Sequence, residues 1–190
     1  MKRLYFDTET TGFPQRTSDI SRQPHICQLA AILVDGDGGE VASMNFLIRP
    51  DGWTIPDDVA AIHGISTEKA AACGIPIRVA MAAFSNLCRC ADQIIAHNIS
   101  FDRQLIAIEC ERVGQPSIMD TVEQYCTKDA TTDICKLPGK FGKYKWPKLQ
   151  EAHVHFFSVE FDDAHDALAD VRACFRVHQA VLAMEGRGAE

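Results

Sequence analysis

The pattern of apolar and polar residues divides this chain into short strands and helices. Apolar runs of strand length occur at 3–8, 26–34, 41–48, 93–98 and 117–121. Helical spacing, with capping serine, glycine or proline at several ends, predicts helices over 66–74, 77–91, 101–114, 147–156 and about 163–184. The glycine-rich turn at 35–39 joins the second and third strands as a hairpin. An early hairpin followed by alternating helices and strands predicts an α/β fold with a mixed sheet.

The remaining segments and the composition indicate one soluble domain. We expect a helix over 122–127 and a loop over 128–145. No repeat, linker or low-complexity segment divides the chain, so residues 1–190 are expected to form a single domain. No apolar run is long enough to cross a bilayer, and the N-terminus shows no signal-like segment. These absences predict a cytoplasmic protein, whose eight cysteines, without a CxxC pair, are expected to be reduced.

Three acidic clusters, far apart in the chain, carry the candidate chemistry. They are FDTETTG at 6–12, AHNISFD at 96–102 and AHDALAD at 164–170. Asp7 and Glu9 lie two apart on a predicted strand, so both side chains point to the same face. Asp102 lies where a strand meets a helix, and it is either a ligand or a helix N-cap. Carboxylates that converge without a cationic partner repel one another, which favours a bound divalent cation.

His165 and Asp170 impose a geometric condition on any shared site. On a continuous helix, residues five apart point about 140° away from each other. The two can face one centre only if His165 precedes the helix or lies in its first turn, with Asp162 or Asp163 as the cap. A histidine in that place can take a proton from water. Asp166 suits the helix N-terminus and is not assigned to the metal.

The distribution of charge along the chain allows two interpretations of the segment 128–148. The net charge of −7 is unusual for a nucleic-acid-binding protein, but the segment 128–148 holds six lysines against two aspartates. Phe141, Tyr144 and Trp146 lie between the lysines. Lysines contact phosphates and aromatic faces stack on unpaired bases, so this segment could guide a single strand. The alternative is a solvated loop whose aromatic side chains pack back onto the core.

Together, the three acidic clusters resemble the three exonuclease motifs of the DnaQ-like 3′→5′ exonuclease family. The spacing of His165 and Asp170 is similar to that of the histidine-containing (DEDDh) branch. The sequence IHGIS at 62–66 resembles another element of the family. The resemblance runs from Leu4 to about Val181. It implies a ribonuclease H-like fold, with a five-stranded mixed sheet and helices on both faces.

The resemblance also implies a metal-dependent 3′→5′ exonuclease that releases nucleoside 5′-monophosphates from single strands. In such an enzyme Asp7, Glu9 and Asp170 hold the metal that carries the attacking water, and Asp7 with Asp102 serves the metal at the leaving oxygen. His165 takes the proton from the water. Oxygen ligands suit two Mg²⁺ ions, for which Mn²⁺ can substitute. The expected substrate contacts are Thr8, Thr10, Thr11, Ile62, His63, Asn98 and Phe101. Ile62 and His63 would lie beside the 3′-terminal nucleotide with the threonines in the same pocket, although the threonines also suit a simple turn, and Asn98 and Phe101 would support the strand-to-helix junction and the substrate strand.

Three alternatives share these residues. An exoribonuclease of the same family would carry the same catalytic set, because a contact to a 2′-hydroxyl cannot be read from the motifs. A partner-binding module with a spent nuclease fold is disfavoured because all five active-site residues are present. A proofreading subunit of a polymerase is disfavoured because only the last 20 of the 190 residues follow Asp170. The expected partners are single-stranded DNA or RNA 3′ ends, with DNA favoured; a polymerase or a homodimer partner is the alternative.

Overall fold

The computed structural model describes residues 1–187, which build a five-stranded mixed sheet. Its strands are β1 (Arg3–Thr10), β2 (Ile26–Val34), β3 (Glu40–Leu47), β4 (Gln93–Ala96) and β5 (Glu123–Cys126), in the order β3-β2-β1-β4-β5. The pairs β1–β2 and β2–β3 are antiparallel, whereas β1–β4 and β4–β5 are parallel. The predicted hairpin and mixed sheet are therefore confirmed, with β1 at the centre.

Helices cover both faces of this sheet. They are α1 (Asp57–His63), α2 (Thr67–Cys73), α3 (Ile77–Cys90), α4 (Ile99–Val113), α5 (Thr127–Cys135), α6 (Leu149–Phe157) and α7 (Ala167–Arg187). Leu4 and Phe6 of β1 join the core cluster that contains α3 and α4. Tyr5 joins the cluster that contains α7. Successive strand side chains alternate between the two faces of the sheet, and both faces of β1 are covered by helices. For this reason the first residues of β1 are apolar without a break.

Local sequence explains where several elements end. The Ser66 hydroxyl accepts a hydrogen bond from the Lys69 N–H at 3.1 Å and caps α2, as predicted. Gly114 ends α4 in the left-handed region with φ of 67°, where glycine is unstrained. These signals lie in the local sequence, and for that reason the predicted bounds of α2 and α4 are correct to within two residues.

Two predicted elements after α4 are wrong. The segment 117–121 is not a strand: it ends in a 3₁₀ turn over Met119–Thr121 that buries the Met119 side chain in the core. The strand is instead β5, within the segment predicted to be helical, because residues 123–126 pair in register with β4. The apolar residues at 117–121 suggested a strand because Met119 is buried, although its segment is irregular. The position of the strand depends instead on pairing with β4.

The structure also contains two helices that the pattern did not show. The first part of the predicted loop forms α5, which buries Thr127, Thr131 and Cys135. Small polar and β-branched residues give little helical signal, and packing against α6 and α7 compensates for it. The short helix α1 was missed because only His63 of its seven residues is buried.

None of the helices within residues 1–187 combines the length and apolar character needed to span a membrane. Residues 188–190, the end of the predicted domain, lie outside the described residues.

Gly74 ends α2 where the chain passes close to Arg49, two residues after the end of β3. A Cβ atom at this position would lie 2.5 Å from the Arg49 nitrogen and 2.3 Å from the Ala70 oxygen, so the backbone would have to shift. We expect Gly74→Ala to lower the free energy of unfolding by about 1–3 kcal/mol, measured by urea denaturation.

The matched control is Gly186→Ala in α7, where a Cβ would meet open space. Since alanine favours a helix over glycine, this variant should be stabilised by up to about 1 kcal/mol. Equal losses in the two variants would contradict the steric explanation.

Candidate active site

Asp7 and Glu9 lie in the C-terminal half of β1 and point to the face that α7 covers. Tyr5, two residues before Asp7, packs in the same cluster as α7, and side chains two apart on a strand share a face. The pairing with β2 holds through Glu9, opposite Gln28, and shifts by one residue before Thr10. Such a bulge re-aims side chains at a strand end. The predicted pair of carboxylates on one face is therefore present.

Asp102 reaches the same strand from the first turn of α4. Its side chain is 3% exposed, and its Oδ1 accepts hydrogen bonds from the Thr8 hydroxyl at 2.7 Å and the Thr8 N–H at 3.1 Å. The cap position of α4 belongs to Asn98, which has a left-handed backbone with φ of 74°. The N-cap alternative for Asp102 is therefore wrong, because its carboxylate turns to β1.

His165 lies in the loop directly before α7, with φ of 73° and an exposed side chain. Asp166 follows and caps the helix: its Oδ1 accepts from the N–H groups of Leu168 at 3.1 Å and Ala169 at 3.2 Å. Capping by Asp162 or Asp163 is thus wrong. The geometric condition predicted for His165 and Asp170 is met, because the first precedes the helix and the second lies on it.

Gln28 of β2 fixes the start of α7 and was not recognised from the sequence. Its Nε2 donates to Asp166 Oδ2 at 2.9 Å, and its Oε1 accepts from the Ala167 N–H at 3.2 Å. Gln28 is 3% exposed and lies opposite Glu9 in the β1–β2 pair. One buried amide therefore connects β2, the strand paired with Glu9, to the start of the helix that carries Asp170. The two Asp166 oxygens are occupied by these contacts.

The side chains from β1, the loop and α7 converge. Ligand atoms of Glu9, His165 and Asp170 all lie within 4.8 Å of one another. Asp7 and Asp102 line the same cavity as these three residues. The structure thus brings together the five residues that the sequence selected.

Burial raises the pKa of the four carboxyl groups, and repulsion from neighbouring carboxylates adds to this shift. Desolvation, followed by repulsion from Asp170 and Asp102, raises the pKa of Glu9 to about 8. Desolvation and the same kind of repulsion, chiefly from Asp102, raise the pKa of Asp7 well above its ordinary range. Desolvation also raises the pKa of Asp102 and of Asp170 to about 7. Hydrogen bonds from Thr8 to Asp102, and from the His165 backbone to Asp170, partly oppose this rise. The ionised forms of these groups need a positive charge nearby.

The residues present fit a divalent cation. Asp170 Oδ1 is buried and accepts no hydrogen bond from the described residues. A buried carboxylate oxygen without a donor is costly, and a cation would offset that cost. Carboxylate oxygens are ligands that suit Mg²⁺ and Mn²⁺.

A second cavity adjoins the first and shares Thr8, Glu9 and Phe101 with it. Ile62, which is 59% exposed, and the buried His63 line it, as do Thr10 and Thr11. The threonine hydroxyls are used within the chain: Thr10 donates to the Gly12 carbonyl, and Thr11 accepts from the His25 N–H, each at 2.8 Å. The turn role is therefore correct for Thr10, whereas the Thr11 hydroxyl connects the turn to His25, the residue before β2. Of the predicted contact residues, Asn98 alone lines only the first cavity.

Phe13 is an important residue of the second cavity that was not recognised from the sequence. Its ring lies 5.7 Å from that of Phe101 in an edge-on arrangement, and its side chain is 77% exposed. The feature of the sequence that could have indicated Phe13 is its position directly after the TETTG turn.

Four further residues line the first cavity, and three of them belong to the lysine-rich segment 128–148, which the sequence offered as a possible guide for a single strand. They are His97, Lys128, Trp146 and Lys148. The His97 ring bridges the Thr127 hydroxyl and the Pro147 carbonyl, each at 3.0 Å, and so holds the segment before α6 beside the site. Lys128 Nζ donates to Asn98 Oδ1 at 2.7 Å. The position of His97 within AHNISFD could have marked it as a site residue.

Comparison with known proteins gives a consistent result. The exonuclease family model RNase_T matches residues 4–178. The uncharacterized exonuclease CP81 of Escherichia phage 186 is 29% identical over 191 residues, which cover 94% of this chain and 87% of that protein.

Solved structures of E. coli exonuclease I share the fold. The complex with a dT13 oligonucleotide aligns with a TM-score of 0.78 at 20% identity, over 98% of this chain and 42% of that one. The zinc-bound form of the complex of exonuclease I with single-stranded DNA aligns with a TM-score of 0.78 at 22% identity, over 98% and 41%. The chain thus spans less than half the length of exonuclease I.

The raised carboxyl pKa values predict that the metal-free protein loses stability as the pH rises. A carboxyl group with a higher pKa in the folded state stabilises the fold at low pH, and this contribution is lost as the pH rises through the folded pKa. His25, His97 and His178, whose pKa burial lowers from 6.5 to about 4, act in the opposite direction below 6.5. Between 6.5 and about 8 the carboxyl groups act alone, so urea denaturation in EDTA should show falling stability.

Asp170→Asn should flatten this dependence on pH, because one of the titrating groups is removed. The exposed Asp37 supplies the control: Asp37→Asn should keep the wild-type slope. A wild-type slope in Asp170→Asn would show that Asp170 is ionised throughout this range.

Proposed function

The chain belongs to the RNase T exonuclease family of the DnaQ-like superfamily, and from that premise we propose that it removes nucleotides successively from the 3′ end of single-stranded nucleic acid, with DNA favoured. The observation that carries this proposal is the convergence of Glu9, His165 and Asp170, with Asp7 and Asp102 in the same cavity. The products would be nucleoside 5′-monophosphates. Similarity to exonuclease I, which was solved with dT13 and dA16 oligonucleotides, supports DNA as the substrate.

Two Mg²⁺ ions, or Mn²⁺ in their place, would be held by the carboxylates Asp7, Glu9, Asp102 and Asp170. Ions bound in this way would lower the pKa of water and offset the negative charge on the leaving oxygen. The chain itself fixes where these carboxylates lie. Thr8 holds Asp102 by two hydrogen bonds, and Gln28 with Asp166 holds the start of the helix that carries Asp170. Such preorganisation reduces the rearrangement needed when charge develops.

His165 would take the proton from the attacking water. Its ring nitrogen lies within 4.8 Å of the Glu9 and Asp170 oxygens, and its exposed side chain can pass the proton on to solvent. The water oxygen then forms a bond to the terminal phosphorus while the bond from phosphorus to the 3′ oxygen breaks. The shortened strand keeps that oxygen as its new 3′-hydroxyl.

The second cavity is suited to the 3′-terminal nucleotide. Ile62, Phe13 and Phe101 give it an apolar wall, and the exposure of the first two leaves aromatic and aliphatic surface that a base would cover. Because this cavity shares Thr8, Glu9 and Phe101 with the carboxylate cavity, a base bound there lies beside the reacting phosphate. This placement would select the end of a strand.

The direct test uses 5′-labelled single-stranded DNA and RNA of one sequence, with Mg²⁺ or EDTA. We expect a ladder that shortens from the 3′ end in Mg²⁺ only, with DNA degraded faster. His165→Ala should slow the reaction by about 10²- to 10⁴-fold, since it removes the general base. Asp170→Asn should abolish it.

The control for these variants is His155→Ala, which changes an exposed histidine of α6. It should retain the wild-type rate, with circular dichroism confirming that all variants are folded. A wild-type rate in His165→Ala would refute its role as the base, and cleavage in EDTA would refute the dependence on metal.

The base-binding role of the second cavity predicts a separate effect. Phe13→Ala should raise the KM for single-stranded DNA about tenfold, because stacking on an aromatic ring contributes about 1–3 kcal/mol per base. Stability should change little, since the ring is 77% exposed. Val41→Ala, which shortens another exposed apolar residue, is the control, and an unchanged KM in Phe13→Ala would exclude the ring from substrate binding.

A further inference from the structure

Residues 137–145 form a tight hairpin beside the catalytic cavity, here called the lysine hairpin. Pro138 and Tyr144 form an antiparallel bridge. The Gly139 N–H donates to the Lys143 carbonyl, and the Lys145 N–H donates to the Leu137 carbonyl, each at 3.0 Å. A Cβ at Gly139 would lie 2.5 Å from the Lys143 oxygen, so the two arms approach as closely as glycine allows. The segment is therefore a defined structure and not an open loop.

The hairpin presents its aromatic side chains to solvent. Phe141 at the tip is 98% exposed, and Tyr144 and Trp146 are 46% and 66% exposed. The predicted alternative, in which these rings pack back onto the core, is therefore wrong. Phe141 also has a left-handed backbone with φ of 56°, which is strained for a bulky residue. The fold gains no packing from this exposed and strained phenylalanine, which indicates that the ring has a binding role.

The aromatic residues after the tip share one side of their arm. The Lys145 ammonium pairs with Glu151 of α6, so its side chain turns towards that helix. Because successive side chains of an extended segment alternate, Tyr144 and Trp146 point to the opposite side. Their Cα atoms lie about 7 Å apart at this spacing, a distance that one nucleotide of an extended strand can bridge.

Lysine residues extend from the hairpin to the first cavity, which holds the carboxylates. Residues 136–148 contain five lysines and no acidic residue. Trp146 and Lys148 line the cavity, and Lys128 lies 4.5 Å from the centre of the Trp146 ring. Lysines and exposed rings thus continue from the carboxylates out to the tip at Phe141. A phosphate backbone with unstacked bases matches this combination of charges and rings.

We propose that the lysine hairpin binds the single strand that enters the cavity, upstream of its 3′-terminal nucleotide. Lys140 and Lys143 contact phosphates, and Phe141 and Tyr144 stack on unpaired bases. The inference rests on the proposed function, since it assigns the path of that substrate. An apolar protein partner fits less well, because it would have to bury Lys140 and Lys143 beside the rings without acidic partners in the segment.

The test measures binding of a 5′-fluorescein-labelled oligothymidylate of about 16 nucleotides, a length within the site sizes of single-strand-binding folds. Asp170→Asn protein with Mg²⁺ is used so that the probe stays intact. Adding Phe141→Asn should weaken binding about tenfold by fluorescence anisotropy, because it removes one stacking ring. Asparagine tolerates the left-handed backbone, so the hairpin should stay folded.

Charge is tested separately through the dependence on salt. In the same background, Lys140→Gln with Lys143→Gln should reduce the slope of log K against log salt by about 1.4, which is about 0.7 for each phosphate that no longer meets a lysine. Lys2→Gln removes an exposed lysine at the opposite end of β1 and should keep the original slope. An unchanged affinity in Phe141→Asn together with an unchanged slope in the lysine variant would overturn the proposal and favour a protein partner at the tip.

Failure of the proposed function would look different. Wild-type protein is assayed with the p-nitrophenyl ester of thymidine 5′-monophosphate, which is too short to reach the hairpin. If this ester is hydrolysed while the hairpin variants bind the oligonucleotide normally, the inference alone fails. If the ester and the labelled strands stay intact while the variants bind the oligonucleotide more weakly, the hairpin is a single-strand-binding surface and the proposed catalysis fails.

Discussion

Repulsion among buried carboxylates is the constraint on which this structure depends. Asp7, Glu9, Asp102 and Asp170 come from three different elements, and the other three all raise the pKa of Asp7. Three features hold these carboxylates in place despite the repulsion. They are the central strand β1, which is covered on both faces, the two hydrogen bonds from Thr8 to Asp102, and the capped start of α7. The fold therefore bears the cost of assembling negative charge before any cation binds.

The sequence was informative where a feature is local. The alternation of β1 put Asp7 and Glu9 on one face, and the rotation of a helix required His165 to precede α7 or to lie in its first turn; both predictions are confirmed. It failed where tertiary contacts decide. The position of β5 depends on register with β4, and α5 depends on packing of small residues that have little helical preference of their own.

The site shows the same division between local and long-range information. The four acidic residues and the histidine of the site were predictable, because they fall in three short motifs whose chemistry is unusual. Gln28 was not, because a glutamine within an apolar strand gives no chemical signal until its partners Asp166 and Ala167 are known. Phe13 and His97 are similar cases: their importance comes from the ring of Phe101 and the carbonyl of Pro147, which lie far away in the chain. The prediction of one domain over residues 1–190 stays a prediction.

The contacts of Gln28 have a consequence for how related chains should be judged. This neutral amide connects Glu9's neighbouring strand to the turn that sets His165, yet it lies outside all three acidic clusters. A descendant of this protein could keep every charged residue and exchange the glutamine for leucine. By its motifs it would be counted as an intact nuclease, although its histidine would have lost the support that orients it. Loss of activity in such a lineage can therefore begin at a residue that a motif search does not inspect.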